Sequence, residues 1–265
     1  MPTVLAIESA TVHQSVALVR DEAVLGEERH EEAGSHARWL VPAIDRLLAR
    51  CKMDLSALDA YVVSQGPGSF TGLRVGLATA LGFRAVTRIP IVTVGTLEAM
   101  AWGLREVLGP ICPIVPCRAG EVFWAQYEWT AEGRFGRLCE PRVGPPSAVA
   151  ATLTLPTAVL GAGWLASSEQ IVAGDPSAEG RANRWRSVDQ AHFHPSAATV
   201  GRLGLLRLRE GRIASETIAP LYVQRSEAEL KHGLVEGKTA KILRGAGKAS
   251  APRRRVSRTT ASRIS

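Results

Sequence analysis

The chain has 265 residues, 46% of them apolar and 22% charged, the balance of a folded protein of one large or two small domains, which excludes wholesale disorder. No apolar run escapes charge for long enough to cross a bilayer, so a membrane-spanning helix is not expected. The formal net charge of +7 suggests a nucleic-acid binder only as an average: residues 231–265 carry ten Lys/Arg against one acid, Glu236, for +9, which leaves −2 on the first 230 residues. The opening Met1-Pro2-Thr3-Val4 lacks the basic start of a secretory signal. Cys51, Cys112, Cys117 and Cys139 form no Cys-x-x-Cys pair. The expected location is the cytoplasm, with reduced thiols.

Thr3-Val4-Leu5-Ala6-Ile7 has the pattern of a short buried strand, followed by the small polar run Glu8-Ser9-Ala10-Thr11. Extended stretches at 14–20 and 22–29, split at Arg20-Asp21, complete a three-strand meander. A helix then opens at Gly34-Ser35 with Ser35 as N-cap, and Leu40, Ile44, Leu47 and Leu48 fall on one stripe beside Trp39 and Ala43. Pro42 inside this pattern either delays the helix start or bends the helix. A strand at 59–64 is broken by Gly66-Pro67-Gly68, and Ser69 caps a helix over 70–87. A strand at 91–94 and a helix at 96–107 follow. Pro110 and Pro113 mark a boundary. Strands are expected at 112–116, 121–129 and 137–143, with a glycine turn at 131–136, and at 157–160, ending in Gly161-Ala162-Gly163. Residues 166–190 are polar and weakly patterned. A helix over 196–210 carries Val200, Leu203, Leu206 and Leu208, residues 219–225 form a last ordered segment, and the chain after 231 is expected to be disordered.

Strands and helices thus alternate in two successive blocks, which argues for a two-lobed α/β protein. The opening meander differs from the strand–helix–strand start of a dinucleotide-binding fold. It resembles the actin, Hsp70 and sugar-kinase (ASKHA) arrangement. An N-terminal lobe is expected over 1–106, completed by 195–230, with a C-terminal lobe over 107–194 and a basic tail over 231–265.

The most informative stretch is Gly66-Pro67-Gly68-Ser69-Phe70-Thr71-Gly72-Leu73-Arg74-Val75-Gly76. Gly-Pro-Gly permits a tight turn directly off a strand. Ser69 can accept from an early helix amide, and the remaining first-turn amides are either left to an anion or satisfied locally. Gly72, Gly76 and Ala80 recur every four residues. A helical glycine costs about 1 kcal/mol against alanine, so the repeat calls for close packing. The partner is either another helix of this chain, with 36–50 a candidate, or a second protein.

This stretch resembles the Gly-Pro-Gly-Ser-Phe-Thr-Gly-x-Arg-x-Gly signature of the TsaB (YeaZ) family, and the resemblance extends over residues 1–230. Ile7-Glu8-Ser9-Ala10-Thr11 is similar to the family's opening segment, Arg118-Ala119-Gly120-Glu121-Val122-Phe123-Trp124-Ala125 to its Arg-x-Gly-Glu-Val segment, and Gly161-Ala162-Gly163-Trp164 and Pro220-Leu221-Tyr222 also fit. Two positions depart: Glu8 stands where the family has Asp, and Pro116-Cys117-Arg118 where it often has Asp-Ala-Arg. Both correspond to phosphate or metal positions in ATPases of this fold, so Glu8, Ser9 and Thr11 are expected to be a vestigial phosphate loop. The resemblance implies a non-catalytic subunit needed for threonylcarbamoylation of the adenosine beside the tRNA anticodon. Its implied partners are the metal-bearing paralogue TsaD and the ATPase TsaE, with a homodimer when the paralogue is absent and tRNA met through the complex. It implies no membrane and no cofactor of its own. The implied docking residues are Trp39, Leu40, Gly72, Leu73, Gly76, Leu77 and Ala80.

A catalytic TsaD-like transferase is the competing assignment. That paralogue carries His-x-x-x-His on the helix after the next strand, a spacing that puts both imidazoles on one helix face for a metal. Here the matching stretch is Thr96-Leu97-Glu98-Ala99-Met100. His30, His36, His192 and His194 supply no evident third ligand and are expected to be exposed loop histidines. A nucleophile elbow fails at Ser69, whose flanks are Pro67 and Thr71 rather than glycines. A free-standing ASKHA ATPase stays open, as does a tRNA binder acting through the tail residues Lys238, Lys241, Arg244, Lys248 and Arg253-Arg254-Arg255.

Overall fold

The computed structural model describes residues 1–32, 34, 36–118, 120–153, 156–175, 185–189, 192–215, 217–221 and 223. Ser35, Tyr222 and the tail lie outside them.

The chain opens with the antiparallel meander β1 (Thr3–Glu8), β2 (His13–Arg20) and β3 (Ala23–Glu31). α1 (His36–Cys51), β4 (Ala60–Ser64), α2 (Phe70–Thr87) and β5 (Ile91–Val94) follow. β4 lies parallel to β1, and β5 parallel to β4, giving the order β3-β2-β1-β4-β5. α3 (Thr96–Trp102) leads to a second meander, β6 (Gly109–Pro116), β7 (Val122–Trp129) and β8 (Phe135–Gly144). Then come α4 (Ser147–Ala150), β9 (Thr157–Leu160), α5 (Ala162–Ala173) and β10 (Trp185–Ser187). The second order is β10-β9-β6-β7-β8, with β9 parallel to β6 and β10 parallel to β9. Each sheet is therefore a meander with two parallel strands added beside its first strand: one topology, used twice. The fold is α/β in two lobes, each built on one sheet.

β1 shows why its apolar run is unbroken. Val4 and Ala6 point into a core shared by the facing sides of both sheets, α3 and α6 (Ala197–Arg209), while Leu5 and Ile7 point into a second core under α1 and α2. A strand buried on both faces has no polar side to alternate. Each such Leu or Ile contributes about 2 kcal/mol by burial. α4 and α5 cover the far face of the second sheet around Cys112, Ile114, Val159 and Ile171. α6 packs back on β1, β2, β4 and β5 of the first sheet, capped by Ser196, whose Oγ accepts from Thr199 N (3.2 Å).

Several elements depart from the sequence reading. α3 ends at Trp102, not 107, because the chain turns at Gly103 and through Leu104–Val107. β6 starts at Gly109, so Pro110, expected before the strand, lies inside it with Pro113; pairing with β7 skips Cys112 and Pro113 and resumes in the same register at Ile114–Trp124. Pro42 lies within α1, which starts at His36. Residues 162–173 form α5, where no helix was expected. Its buried residues are Gly163 and Ile171, too few for a periodic stripe. Residues 217–221 form no helix or strand.

Candidate functional site

The signature segment joins β4 to α2 and is fastened to the end of β1. Gly66 has φ +108°, a conformation that side chains disfavour, and a Cβ there would also press on Leu73 Cδ1 (2.9 Å). Its carbonyl accepts from Thr96 N (2.9 Å). Gly68 must be glycine because a Cβ would run into the Ala10 carbonyl. That same carbonyl accepts from Ser69 N (2.6 Å), and Ser69 Oγ accepts from Gly72 N (3.2 Å), the expected N-cap. Two of the first amides are thus spent within the chain.

The glycine repeat turns inward. Ser9 Oγ donates to Gly72 O (2.9 Å), and a Cβ on Gly76 would collide with that hydroxyl. Gly72, Leu73, Gly76, Leu77 and Ala80 are all buried, as is Leu40. This corrects two expectations. The close partner of Gly72 and Gly76 is the end of β1, not a helix, and these six residues are not a free docking face. Trp39 is half-buried and stacked on His30, ring centroids 5.3 Å apart. The outward side of α2 carries Thr71, Arg74, Ala78, Gly82, Ala85 and Val86, with Val75 half-buried beside them. Val86 is 85% exposed, Phe70 40% and, on α1, Val41 50%. Arg74 lies over the Phe70 ring at 3.7 Å. Gly82 meets no atom within 4 Å of where a Cβ would sit, so nothing among the described residues requires a glycine there.

Glu8, Ser9 and Ser64 are fully buried at the ends of the neighbouring strands β1 and β4. Glu8 Oε1 accepts from Ala10 N (2.6 Å), so the carboxyl closes onto its own backbone. Among the described residues Thr96 Oγ1 is buried without a partner, and Glu8 Oε2 and Ser64 Oγ are buried with no close hydrogen bond beyond their approach to one another. Burial raises the Glu8 pKa from 4.5 to about 7, against the pull of the Ala10 amide, the nearby Ser64 hydroxyl and the Ser9 amide. Thr11 closes a local turn with His13, accepting from its N (3.2 Å) and donating to its O (3.1 Å). Thr96 and Met100 are buried in α3. No group of three or more His, Cys, Asp or Glu is placed to hold a metal ion among the described residues.

Arg118 and Glu121 pair at 2.6 Å across the tight turn between β6 and β7, where Cys117 N donates to Glu121 O (3.0 Å). Gly163 lies against Ile114. Sequence reasoning missed two features. Arg207 of α6 is buried, donates to Thr93 O and pairs with Glu98 of α3. His194 is half-buried and stacks on His13, so the histidines are not all exposed loop residues. Both contacts join residues more than a hundred positions apart, and no local pattern announces them.

A family model described as "TsaD: tRNA N6-adenosine threonylcarbamoyltransferase" matches residues 27–140. The chain is 35% identical over 127 residues to the tRNA threonylcarbamoyladenosine biosynthesis protein TsaB of Bacillus subtilis, a match covering 48% of this chain and 56% of that protein. It is 34% identical over 134 residues to the TsaB of Escherichia coli, covering 49% and 57%. An uncharacterized Mycobacterium tuberculosis protein is 39% identical over 127 residues, covering 47% and 59%. The chain thus spans less than two thirds of the length of each of these relatives. A solved structure titled as YeaZ from Pseudomonas aeruginosa superposes with TM-score 0.71 at 24% identity, covering 84% of this chain and all of that one, a likeness of fold.

Proposed function

We propose that this chain is a member of the TsaB/YeaZ family and serves the biosynthesis of threonylcarbamoyladenosine in tRNA as a subunit without chemistry of its own, docking on a metal-bearing TsaD-family paralogue and keeping it active. The observation that carries the docking is the outward side of α2. Val75, Ala78, Gly82, Ala85 and Val86 repeat at helical spacing and are small or apolar, with exposed Val41 and Pro42 on neighbouring α1. Gly82 weakens the helix by about 1 kcal/mol, with no contact among the described residues to account for it. A closely approaching partner helix accounts for it.

The lack of chemistry rests on Thr96 and Met100 standing where the paralogue has its histidines, and on Glu8 turning to its own backbone. In this reading TsaE joins the assembly, tRNA is met through the complex, and the same face serves a homodimer when the paralogue is absent. The protein needs no cofactor and works in the cytoplasm.

Copurification with the TsaD-family partner tests the docking. Ala78→Arg, on the open side of α2, should abolish copurification while the circular dichroism melt stays unchanged. Undiminished copurification of this folded variant would overturn the assignment.

A further inference from the structure

β2, β3, the end of α3 and the segment leading into α6 enclose a cleft of about 700 Å3 that none of the signature residues lines. At one end His13 and His194 stack with ring centroids 3.4 Å apart and planes 30° from parallel. Burial, then the neighbouring His13, holds the His194 pKa below its ordinary value, while Glu31 pulls it up. Glu31 Oε1 lies 3.3 Å from His13 Nε2. Glu31 offers one carboxylate to this stack, and a positive charge on the half-buried His194 calls for a second anion beside it.

The other charged groups of the lining fall into two classes. Arg29 and His30 of β3 are paired with Glu27 (2.8 Å) and Glu32 (3.3 Å). Arg105 lies 4.1 Å over Trp102 and pairs with Glu22 at 3.6 Å, and His192 is exposed at the rim. Arg202 of α6 differs. Its Nε donates to Glu22 O (2.9 Å), and among the described residues its two Nη groups make no bond. The start of α6 is not the receptor, since its amides are taken by Ser15 Oγ on Ala197 N (2.8 Å), Glu27 on Ala198 N (3.2 Å) and Ser196 Oγ on Thr199 N. Met100 and Trp102 add apolar surface to the lining.

We propose that this cleft binds a small molecule through an anionic group, phosphate or carboxylate, held by Arg202 and His194, the latter stacked on His13, and that binding takes a proton from solvent onto His194. Anion and proton then raise each other's affinity.

Calorimetric titration of the full chain with sulfate, whose charge is constant over the range, tests this. Sulfate should bind about tenfold more tightly near pH 5.5 than near pH 8. Inorganic phosphate and malonate, titrated in parallel, distinguish the two headgroups. Arg202→Ala, at a partly exposed position, should lose binding at both pH values with an unchanged melt. His194→Gln should retain weak binding and lose its pH dependence. No sulfate binding near pH 5.5, equal affinity at both pH values, or undiminished binding by Arg202→Ala would each overturn the proposal.

Discussion

Ser9 and Gly72 are joined by a hydrogen bond from the serine Oγ to the glycine carbonyl at 2.9 Å, and Gly76, one turn on, lies against the same hydroxyl. This contact decides which side of α2 faces the protein. The two glycines at the start of α2, Gly72 and Gly76, serve the fold, and a third, Gly82, is the one facing outward.

The two kinds of glycine should therefore respond oppositely. Gly76→Val drives a side chain into Ser9 and Ile7 and should destabilise the chain by about 3 kcal/mol. Gly82→Ala meets open space and should stabilise it by about 1 kcal/mol. Urea denaturation of both variants checks this; equal midpoints would show that the inward side of α2 is misassigned.

Glu8 gives a pH signature. Its carboxyl is raised to about 7 in the fold, against an ordinary 4.5. Between these values the native state holds a proton that the unfolded chain has released. Stability therefore falls as pH rises through this window, and the whole penalty, about 3 kcal/mol at most, is present above it. Glu8→Gln should remove this part of the slope and gain stability relative to the parent near pH 8. Identical pH–stability curves for the two proteins would contradict the assignment.

Glu98 and Arg207 form a buried pair between α3 and α6. Glu98→Ala leaves the guanidinium buried, with Thr93 O its remaining hydrogen-bond partner among the described residues, and should cost about 3 kcal/mol. Adding Arg207→Met removes the stranded charge and should recover most of that loss. A double variant no more stable than the single would show that the charge is not the source of the cost. Thermal melts of all four members of the cycle provide the measurement.

Much of the first lobe was legible because its signals are local. The two-sided burial of β1 gives an unbroken apolar run, and Gly66-Pro67-Gly68-Ser69 spells a turn and a cap. α5 was not legible, since a helix holding itself with Gly163 and Ile171 offers no stripe. The direction of the glycine repeat was not legible either. Spacing says that Gly72, Gly76 and Ala80 share a face, but only the position of Ser9 says that this face is internal. The stacked histidines and the Glu98–Arg207 pair depend on how the segment leading into α6, and α6 itself, return to the first sheet, which no window of sequence contains.

The most direct measurement for the proposed role is nucleoside analysis of total tRNA after depletion of this protein, with and without its re-expression. Threonylcarbamoyladenosine should fall on depletion and return with the parent chain but not with Ala78→Arg. An unchanged level of the modified nucleoside in depleted cells would contradict the role.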